Sequence, residues 1–400
     1  MINIAILGFG VVGSGVAEVI SRNSKELAER LDGQEINVKH ILDLRQFPDH
    51  PLGDRVTSDY NKILNDEDVF LVIETMGGSH PAYEFSKQAL LAGKSVITSN
   101  KEVVANYGGE LLEIAKEKGI GYLFEASVGG GIPIIRPMWQ CLAANKIKSV
   151  AGILNGTCNY ILTKMEKEQT DFETALKQAQ ELGYAEKNPS ADIEGTDTCR
   201  KISILTSLAF GKHVYPDQLS CEGITKIKYD DISYASKHGF AIKLLGLSSR
   251  GDDGKVYAIT APYFVPKTNA LAGVNDVYNG IQVVGNVVQD VFFCGRGAGS
   301  LPTASAVMAD VLDIIRDCRK TIGWKNEKAD FLGDIAANET VCYVRTKADI
   351  AAIKKIFGVN DIDEVGNENV FFTDKMPEKE IDSKLNELGA EYLKIRALDK

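Results

Sequence analysis

Short apolar runs alternate with longer amphipathic stretches through the first third of the chain. Ile2–Leu7 is a largely apolar run of strand length, and residues 12–30 follow it with apolar positions at helical spacing. Further short runs rich in Val, Ile and Phe lie at residues 36–43, 69–74, 95–98 and 121–125. Short apolar strands that alternate with helices are typical of a parallel sheet covered on both faces. We therefore predict an α/β domain here.

The pattern changes near residue 147, where a strand at 147–154 is followed first by helices and then by strands. The predicted helices lie at 157–167, 171–182 and 195–210, and the later strands at 240–249, 255–265, 280–285 and 287–294. This grouping indicates an α+β domain, with an antiparallel or mixed sheet and helices on one face. A glycine-rich turn at 295–299 then leads into a helix predicted from residue 303 to about 321.

The last part of the chain predicts a small third module. Residues 324–337 are more polar and are interpreted as a linker. Six elements follow in the order β-α-β-β-α-β, at residues 340–346, 348–357, 362–366, 370–373, 377–388 and 391–397. This is the split βαβ order of a ferredoxin-like module.

Composition and charge exclude some classes of partner. The 400 residues carry 45 Lys and Arg against 55 Asp and Glu, which gives a net charge of −10. An acidic chain without a basic block is a poor nucleic-acid binder. No apolar run reaches the roughly 18 residues that a membrane span requires. The N-terminus lacks the basic segment of a signal peptide.

Cysteine usage indicates a reducing compartment. The cysteines are scattered, odd in number and without a C-x-x-C pair: Cys141, Cys158, Cys199, Cys221, Cys294, Cys318 and Cys342. We interpret them as reduced thiols of a cytoplasmic protein rather than as zinc ligands or disulfides. The five histidines show no metal-ligand spacing either.

A G-x-G-x-x-G motif follows the first predicted strand and opens the first predicted helix, at residues 8–13. In that context the glycines allow a tight turn and let backbone N–H groups approach a pyrophosphate at the helix N-terminus. The motif predicts a Rossmann-type domain that binds a dinucleotide. Asp43, which suits a ribose hydroxyl, and Arg45, which suits a 2′-phosphate, both follow the second strand, so the residues leave NAD and NADP open.

Three further segments each allow two interpretations. Lys101 follows a predicted parallel strand, at the edge where ligands bind, but is equally consistent with a solvated loop lysine. The three glycines of residues 125–133 could free carbonyls for a cation beside Glu125, although an interdomain hinge is the simpler interpretation. Residues 155–160 could hold a small carboxylate with free N–H groups and the Thr157 hydroxyl, or simply cap a helix.

The densest polar cluster spans residues 183–201. Asp197 and Lys201 are four residues apart on a predicted helix, so their side chains lie side by side. Such pairs are usually surface salt bridges that contribute little to the free energy of unfolding. Lys201, however, falls in the apolar stripe of Ile204, Leu205 and Leu208, so we predict that it is buried with Asp197 as its partner. A buried lysine–carboxylate pair is more typical of a functional site.

These stretches together resemble the homoserine dehydrogenase family. The similarity lies in the turn at 8–13, the Ser-Asn-Lys-Glu segment around Lys101, and residues 125–133, 155–160, 183–201 and 295–304. It covers residues 1 to about 322. It implies NAD(P)-dependent interconversion of L-homoserine and L-aspartate 4-semialdehyde, in the biosynthesis of threonine, methionine and isoleucine.

The resemblance also implies roles for single residues. The implied catalytic residues are Lys201, Asp197 and Lys101. The implied substrate residues are Glu186, Asp192, Asp197 and Thr157. The implied coenzyme site contains Gly8, Phe9, Gly10, Val11, Val12, Gly13, Arg45, Thr75, Lys101, Gly183 and Gly299. A site for Na⁺ or K⁺ is implied at Glu125, Val128, Gly130 and Ile132.

We expect three domains, of which the last resembles an ACT domain, and a homo-oligomer, at least a dimer, because the exposed sheet edge of the last module invites pairing with another copy. We expect a Rossmann-type dinucleotide-binding domain at 1–132 and 300–322, an α+β substrate and dimerisation domain at 133–299, and an ACT-like module at 338–400. The turn at 346–349 lacks the Pro-Gly of ACT ligand sites, which favours assembly over ligand sensing. We expect this module to be separable and dispensable for hydride transfer.

Two alternatives from other classes remain at this point. A nucleotide-sensing regulator with a degenerate site would fit the last module, but the intact lysines and carboxylates count against it. An aldehyde dehydrogenase of the thioester type would need an activated cysteine. Cys158 and Cys199 are the nearest candidates, and neither has a histidine close in sequence.

Overall fold

A computed structural model describes residues 1–317 and 322–398 of the chain. Contacts between residues divide the chain into two units. The first unit comprises Met1–Asn145, Ser203–Pro216 and Gly295–Ala329. The second comprises Lys146–Ile202, Asp217–Cys294 and Asp330–Lys400. We expected three domains, and the main differences are that residues 330–400 group with the second unit and 203–216 with the first.

The first 145 residues alternate strands and helices. In chain order they are β1 (Ile2–Leu7), α1 (Val11–Arg22), α2 (Ser24–Arg30), β2 (Ile36–Leu42), β3 (Val56–Thr57), α3 (Asn61–Leu64), β4 (Val69–Glu74), α4 (Ala82–Leu91), β5 (Ser95–Thr98), α5 (Lys101–Lys118) and β6 (Tyr122–Leu123). The helix predicted at 12–30 is therefore two helices separated at Asn23.

The remaining elements follow in two groups. The first group is β7 (Ile147–Ile153), α6 (Gly156–Glu168), α7 (Phe172–Glu181), α8 (Ser190–Ile193), α9 (Thr196–Phe210), β8 (Lys212–His213), β9 (Ser220–Cys221), α10 (Tyr229–Lys237), β10 (Phe240–Arg250), β11 (Val256–Pro266), β12 (Tyr278–Gly285), β13 (Gln289–Arg296), α11 (Ser300–Arg316) and β14 (Lys325–Lys328). The second group is β15 (Glu339–Thr346), α12 (Ile350–Phe357), β16 (Asp363–Val365), β17 (Glu368–Phe372), β18 (Met376–Pro377), α13 (Glu378–Leu388) and β19 (Tyr392–Ala397).

The sheet of the first unit has the strand order β3-β2-β1-β4-β5-β6, and its paired strands are parallel. Ile4 and Ile6 of the central strand are fully buried, as expected for a sheet with helices on both faces. The predicted doubly wound α/β fold is confirmed. The strand order reverses between β1 and β4, and ligands of such folds bind at the carboxyl ends of the strands flanking that point.

The sheet of the second unit is mixed, as predicted, and has the order β13-β12-β7-β10-β11-β19-β15-β17-β16. β10 pairs antiparallel with both β7 and β11, whereas β19 and β9 lie parallel to β11. Helix α10 was not predicted from the sequence.

The predicted β-α-β-β-α-β order of the C-terminal residues is observed in β15 to β19, with the additional short strand β18. Side chains of β15 alternate between two cores. Tyr343 stacks on Phe264 of β11 with ring centroids 4.6 Å apart, whereas Cys342 and Val344 pack in a core with Ile353 of α12. One face of the module therefore completes the core of residues 158–264, and this differs from the separable module that we expected.

The predicted linker at 324–337 is packed structure in its first part. The buried Trp324 indole donates a hydrogen bond of 2.7 Å to Nδ1 of His213, and β14 pairs with β8. Burial lowers the pKa of His213 to about 4, so its ring is neutral and can accept this bond. The polar residues of β14 are all exposed, which is why they resembled a linker.

Helix α11 begins three residues earlier than predicted. Its predicted C-terminal end at Thr321, and also Cys318, lie outside the described residues. The other six cysteines are free thiols. Among the described residues, no helix combines the length and the apolar character needed to cross a bilayer.

Candidate active site

The glycine-rich turn lies at the carboxyl end of β1, where the strand order reverses. Gly8 has φ +87°, a left-handed conformation that favours glycine, and its N–H donates to the carbonyl of Leu42. A Cβ built on Gly13 would lie 2.1 Å from the carbonyl oxygen of Gly8, so only glycine fits there. A Cβ on Gly10, the N-cap of α1, would meet no protein atom within 4 Å.

This geometry fits a dinucleotide. The amides of Val11 and Val12 begin α1 and have no partner inside the helix, and the open space over Gly10 lets a phosphate approach them. The side chain of Phe9 is instead buried, and its N–H donates to Oδ2 of Asp43 at 2.8 Å. Phe9 therefore links the turn to the second strand.

Thr75, which follows β4, braces the same turn. Its hydroxyl donates to the carbonyl of Gly8 at 2.8 Å, and its backbone N–H donates to the carbonyl of Leu7 at 2.9 Å. Thr75 thus holds the last residue of β1 and the first glycine in place.

Asp43 and Arg45 form an ion pair beyond β2. Nη2 of Arg45 lies 2.9 Å from Oδ2 of Asp43, and the Arg45 side chain is 62% exposed. Hydrogen bonds from Arg45, together with the Phe9 amide, hold the pKa of Asp43 well below its usual range. The Asp43 carboxylate is thus fully engaged, while much of the guanidinium faces solvent.

Gly299 lies beside the start of α1. It is the N-cap of α11 with φ +117°, and the hydroxyl of the next residue, Ser300, donates to the carbonyl of Val11 at 2.7 Å. A Cβ on Gly15 would lie 2.5 Å from that hydroxyl, so the two helices are in close contact. The structure therefore brings Gly299 to the glycine-rich turn.

Lys101 is the first residue of α5, directly after β5. Asn100 caps this helix by accepting hydrogen bonds from the amides of Glu102 and Val103, and it donates to the carbonyl of Gly78 at 2.6 Å. Lys101 is partly buried at the same carboxyl edge of the sheet as the turn at 8–13.

A carboxyl group that sequence reasoning missed lies at this edge. Glu74 ends β4, is fully buried, and accepts hydrogen bonds from the Thr98 hydroxyl at 2.5 Å and the Met76 amide at 2.7 Å. Burial raises the pKa of Glu74 to about 7.

Glu125 is buried and accepts three amide hydrogen bonds. Its Oε1 accepts from Ile134 and Ile135 at 2.6 and 2.8 Å, and its Oε2 accepts from Arg136 at 2.8 Å. The side chain of Glu125 therefore neutralises the N-terminal end of the following helical turn. With the Glu125 carboxylate engaged in this way, the other oxygen atoms that this segment offers are its backbone carbonyls.

Those carbonyls are available. Val128, Gly130 and Ile132 lie in irregular backbone, and between described residues no backbone amide donates to their oxygens. Gly130 has φ +56°, and a Cβ there would lie 2.2 Å from the carbonyl oxygen of Gly297. Within the described ranges, no cluster of three or more His, Cys, Asp or Glu side chains could hold a metal ion.

In the second unit, Lys201 and Asp197 form the buried pair predicted from the helical wheel. Nζ of Lys201 donates to Oδ2 of Asp197 at 2.8 Å and to the carbonyl of Leu154 at 2.7 Å. The side chains of Lys201 and Asp197 are only 11% and 6% exposed. A charge pair so poorly solvated is retained for chemistry more often than for stability.

Asn155 connects this pair to a second carboxylate. Its Nδ2 donates to Oδ1 of Asp192 at 2.7 Å and to Oδ2 of Asp197 at 2.8 Å. Its Oδ1 accepts from the amide of Cys158, which caps α6. The sequence pointed to the segment 155–160 as an anion site or a cap, but did not show that Asn155 joins the two aspartates.

The loop between α7 and α8 carries the other implied substrate residues. The Thr157 hydroxyl donates to the carbonyl of Tyr184 at 2.7 Å and so fixes the start of this loop. Gly183 has φ +74° and, like Glu186, is exposed. The structure therefore joins Asp192, Asp197 and Lys201 through Asn155, whereas Thr157 contacts the loop that carries Glu186. Glu186 itself lies on the surface of this unit.

The two cysteines considered for thioester chemistry, Cys158 and Cys199, are not activated nucleophiles. Cys158 is fully buried, and burial raises its pKa well above the usual value. The pKa of Cys199 is also raised, by a hydrogen bond with Cys221 and by burial. Because thioester chemistry needs a thiolate, these environments count against the aldehyde dehydrogenase alternative.

Comparison with known proteins agrees with this arrangement. The family described as "Homoserine dehydrogenase" matches residues 133–312, and "Homoserine dehydrogenase, NAD binding domain" matches residues 8–125. A homoserine dehydrogenase of Synechocystis is 43% identical over 319 residues, which cover 78% of this chain and 73% of the relative. The chain belongs to the homoserine dehydrogenase family.

Solved structures of this family are also similar. That of a homoserine dehydrogenase from Thiobacillus denitrificans has a TM-score of 0.92 at 34% identity, covering 100% of this chain and 98% of its own. A hyperthermophilic archaeal homoserine dehydrogenase in complex with NADPH has a TM-score of 0.66 at 28% identity, covering 78% and 97%.

The activity follows from the family. The chain is an NAD(P)-dependent oxidoreductase that interconverts L-homoserine and L-aspartate 4-semialdehyde, a step in the biosynthesis of threonine, methionine and isoleucine. The predicted function, coenzyme class and small-molecule substrate are thereby confirmed. The regulator alternative is excluded by the same findings. The ACT identity of the C-terminal module stays a prediction.

Proposed function

We propose that Lys201 is the proton donor and acceptor of the reaction and that Asp197 holds it in place. The observation that carries this proposal is the buried Lys201–Asp197 pair, fixed by Asn155 and the Leu154 carbonyl. When bound, the nicotinamide ring supplies or accepts the hydride at the carbon that is aldehyde in one substrate and alcohol in the other. Lys201 gives a proton to the oxygen during reduction and takes it back during oxidation.

Asp192, Thr157 and Glu186 form the proposed substrate site. Homoserine carries an ammonium group, which a carboxylate such as Asp192 suits, and Asn155 holds Asp192 beside Asp197. Thr157 acts by fixing the loop that carries Glu186. Gly183, with its left-handed backbone, lets that loop turn.

The coenzyme site is proposed to consist of Gly8, Gly10, Gly13 and the first amides of α1, with Thr75 and Gly299 shaping it. Support comes from the backbone of Gly8, the space over Gly10 and the contact between Ser300 and Val11. Lys101, at the carboxyl edge of the sheet, is proposed as the second active-site lysine that adds positive charge near the substrate.

A monovalent cation, Na⁺ or K⁺, is proposed at the carbonyls of residues 125–132. Among the described residues, no backbone amide donates to the carbonyls of Val128, Gly130 and Ile132, and this supports the proposal because hard cations prefer such oxygens. Exchange of Na⁺ or K⁺ for a bulky organic cation at constant ionic strength should lower activity or stability. An unchanged protein would leave the hinge interpretation.

We also propose a cytoplasmic homo-oligomer, at least a dimer. In the part of the chain described, β13 ends the sheet order, and Val287, Val288 and Phe292 near it are 71%, 40% and 38% exposed. Such an apolar sheet edge invites pairing with a second copy. The cytoplasmic location rests on the scattered free cysteines.

The decisive experiment compares two buried lysines of the second unit. Lys201→Met should keep the fold and lower kcat for homoserine oxidation, followed at 340 nm, by roughly 10²–10⁴-fold. Lys243→Met is the matched control, because Lys243 is 2% exposed but donates to the Val274 carbonyl and to Asn159 rather than to a carboxylate. Equal kcat values for the two folded variants would refute the assignment.

A further inference from the structure

The last strand of the chain carries a buried arginine with two carboxylate partners. Arg396 on β19 is 3% exposed. Its Nη1 and Nη2 donate to the two oxygens of Glu222 at 3.0 and 2.8 Å, and its Nε donates to Oε2 of Glu378 at 2.9 Å. Glu378 belongs to the same module, whereas Glu222 follows β9, so the bidentate pair ties the module to the segment 220–224.

The segment 220–224 packs in turn against residues 193–195. The amide of Ile224 donates to the carbonyl of Ile193 at 2.9 Å, and the thiol of Cys221 donates to the carbonyl of Glu194 at 3.3 Å. The amide of Glu222 donates to the carbonyl of Thr260 at 2.8 Å, so β11 supports the segment from the other side.

This contact leaves no free space. A Cβ on Gly223 would lie 2.1 Å from the carbonyl oxygen of Ile193, and one on Gly195 would lie 3.1 Å from that of Glu222. Closely packed backbone transmits a displacement instead of absorbing it. A shift of Glu222 must therefore move residues 193–195.

Residues 193–195 join the two parts of the proposed catalytic site. Asp192 precedes them and is held by Asn155, while the carbonyl of Gly195 accepts the amide of Cys199 and so starts α9. The first turns of α9 present Asp197 and Lys201. The chain of contacts from Arg396 thus ends at the residues to which the proposed function assigns catalysis.

We propose that Arg396, through Glu222, is a positioning residue for Asp192 and for the Asp197–Lys201 pair. The inference rests on the proposed catalytic role of Lys201. Full catalytic activity would then depend on the C-terminal module, although the module contributes no group that touches the substrate. This reverses our expectation that residues 338–400 are dispensable for hydride transfer.

The module contains a matched control for this test. Arg345 on β15 is 5% exposed and also has two carboxylate partners, Asp231 on α10 and Glu368 on β17. Arg345 makes a long bond of 3.4 Å to the carbonyl of Lys226, and Glu368 also pairs with Nζ of Lys228 at 2.6 Å; both lysines lie outside the segment 220–224. Arg345 therefore anchors the module with a similar ion pair, but toward α10.

The experiment uses the full chain with Glu222→Ala and Glu368→Ala. In each variant the buried arginine keeps its other carboxylate, Glu378 or Asp231, and Glu222 is 41% exposed, so both proteins should fold. Glu222→Ala should lower kcat roughly tenfold and raise KM for homoserine, because misplacement by about 1 Å is costly in catalysis. KM for the coenzyme should not change. For Glu368→Ala, we expect kcat, KM for homoserine and KM for the coenzyme each to stay within about twofold of the parent values.

A second variant tests whether Arg396 acts through its contact with Glu222. Arg396→Gln should show the same kcat defect, and Glu222→Ala in that background should add less than about twofold, since both act through one contact. Should Arg396→Gln fail to fold, the Glu222 and Glu368 pair decides alone.

Each outcome is decisive. Equal kcat values for Glu222→Ala and Glu368→Ala overturn the inference, as does a defect in coenzyme KM alone. If Glu222→Ala gives one of these contrary results while Lys201→Met is inactive in the same assays, only this inference falls and the catalytic role of Lys201 stands. An active Lys201→Met overturns the proposed catalytic role and this inference together.

Discussion

The glycine-rich turn of the first unit is built from backbone groups. The Asp197–Lys201 site of the second unit is built from charged side chains. The turn at 8–13 consists of backbone: amides, a left-handed Gly8, and a Gly13 that excludes any side chain. The Asp197–Lys201 site consists of buried charges held by Asn155 and a carbonyl. The turn is therefore sensitive to added volume, and the charged site to a removed charge or hydrogen bond.

The two regions also depend on different partners. The turn is held by hydrogen bonds with Leu42, Asp43, Thr75 and Ser300 of the first unit. The charged site depends on residues from 154 to 201 directly, and by the inference above on Arg396. Substitutions in the two regions should thus have different signatures.

The largest effect is expected from Asp197→Asn. The Lys201 ammonium would lose its ion partner in a site where both side chains are nearly buried. We expect kcat to fall by roughly 10²-fold or more, with stability lowered by up to about 3–5 kcal/mol. Steady-state kinetics and urea unfolding measure both. Coenzyme affinity should be retained, and a loss confined to the coenzyme would contradict the division between the two regions.

Glu74 tests this contrast, because it is a buried carboxyl group in the same unit as the backbone-built turn. Its pKa is about 7 in the folded state against an ordinary 4.5. Below pH 4.5 both states are protonated; between pH 4.5 and 7 only the unfolded state ionises, so stability falls as pH rises. The loss should be on the order of 3 kcal/mol. Urea unfolding from pH 4.5 to 8 should show a smaller loss in Glu74→Gln than in the parent, by about this amount. The buried Asp310, whose pKa burial raises to about 8, contributes equally to both proteins.

Substitutions at Gly13 and Gly10 test whether the turn is sensitive to added volume, with smaller expected effects. Gly13→Ala puts a Cβ 2.1 Å from the Gly8 oxygen, so we expect about 1–3 kcal/mol of destabilisation. Gly10→Ala meets no protein atom within 4 Å and should leave stability unchanged while weakening coenzyme binding. Thermal unfolding and coenzyme titration of both variants test this. Equal stability losses would show that the space over Gly10 has no specific role.

Arg45→Ala should have the smallest effect. Because the guanidinium is 62% exposed and suits a 2′-phosphate, its loss should raise KM for NADPH roughly tenfold and leave KM for NADH nearly unchanged. A parallel rise in both values would mean that Arg45 serves only to hold Asp43.

The sequence predicted the elements whose residues show a clear local hydrophobic pattern. Ile2–Leu7, Val69–Glu74 and Ser95–Thr98 were predicted with the observed bounds, since buried parallel strands are continuous apolar runs. The two-residue strand Val56–Thr57 has no such signal. Residues 325–328 were missed as a strand because they are exposed and polar on both sides.

The same limit applies to the site. Burial of Lys201 followed from the 3.6-residue period of α9, and the pairing with Asp197 from their spacing. The hydrogen bonds from Asn155 to Asp192 and Asp197 join residues far apart in the chain, and no local pattern encodes them. The buried Glu74 was read as the end of a strand for the same reason.

The parallel pairing of β19 with β11 has a consequence for biosynthesis. Tyr263 and Phe264 must wait for Arg396 and Ala397 before the sheet of the second unit can close. A ribosome delivers these partners late, so the growing chain carries an open strand edge and an uncovered aromatic core while the remaining residues are translated. Closure of this sheet therefore has to await translation of β19, and a chain terminated before β19 would expose the open edge of β11 to chaperones and proteases.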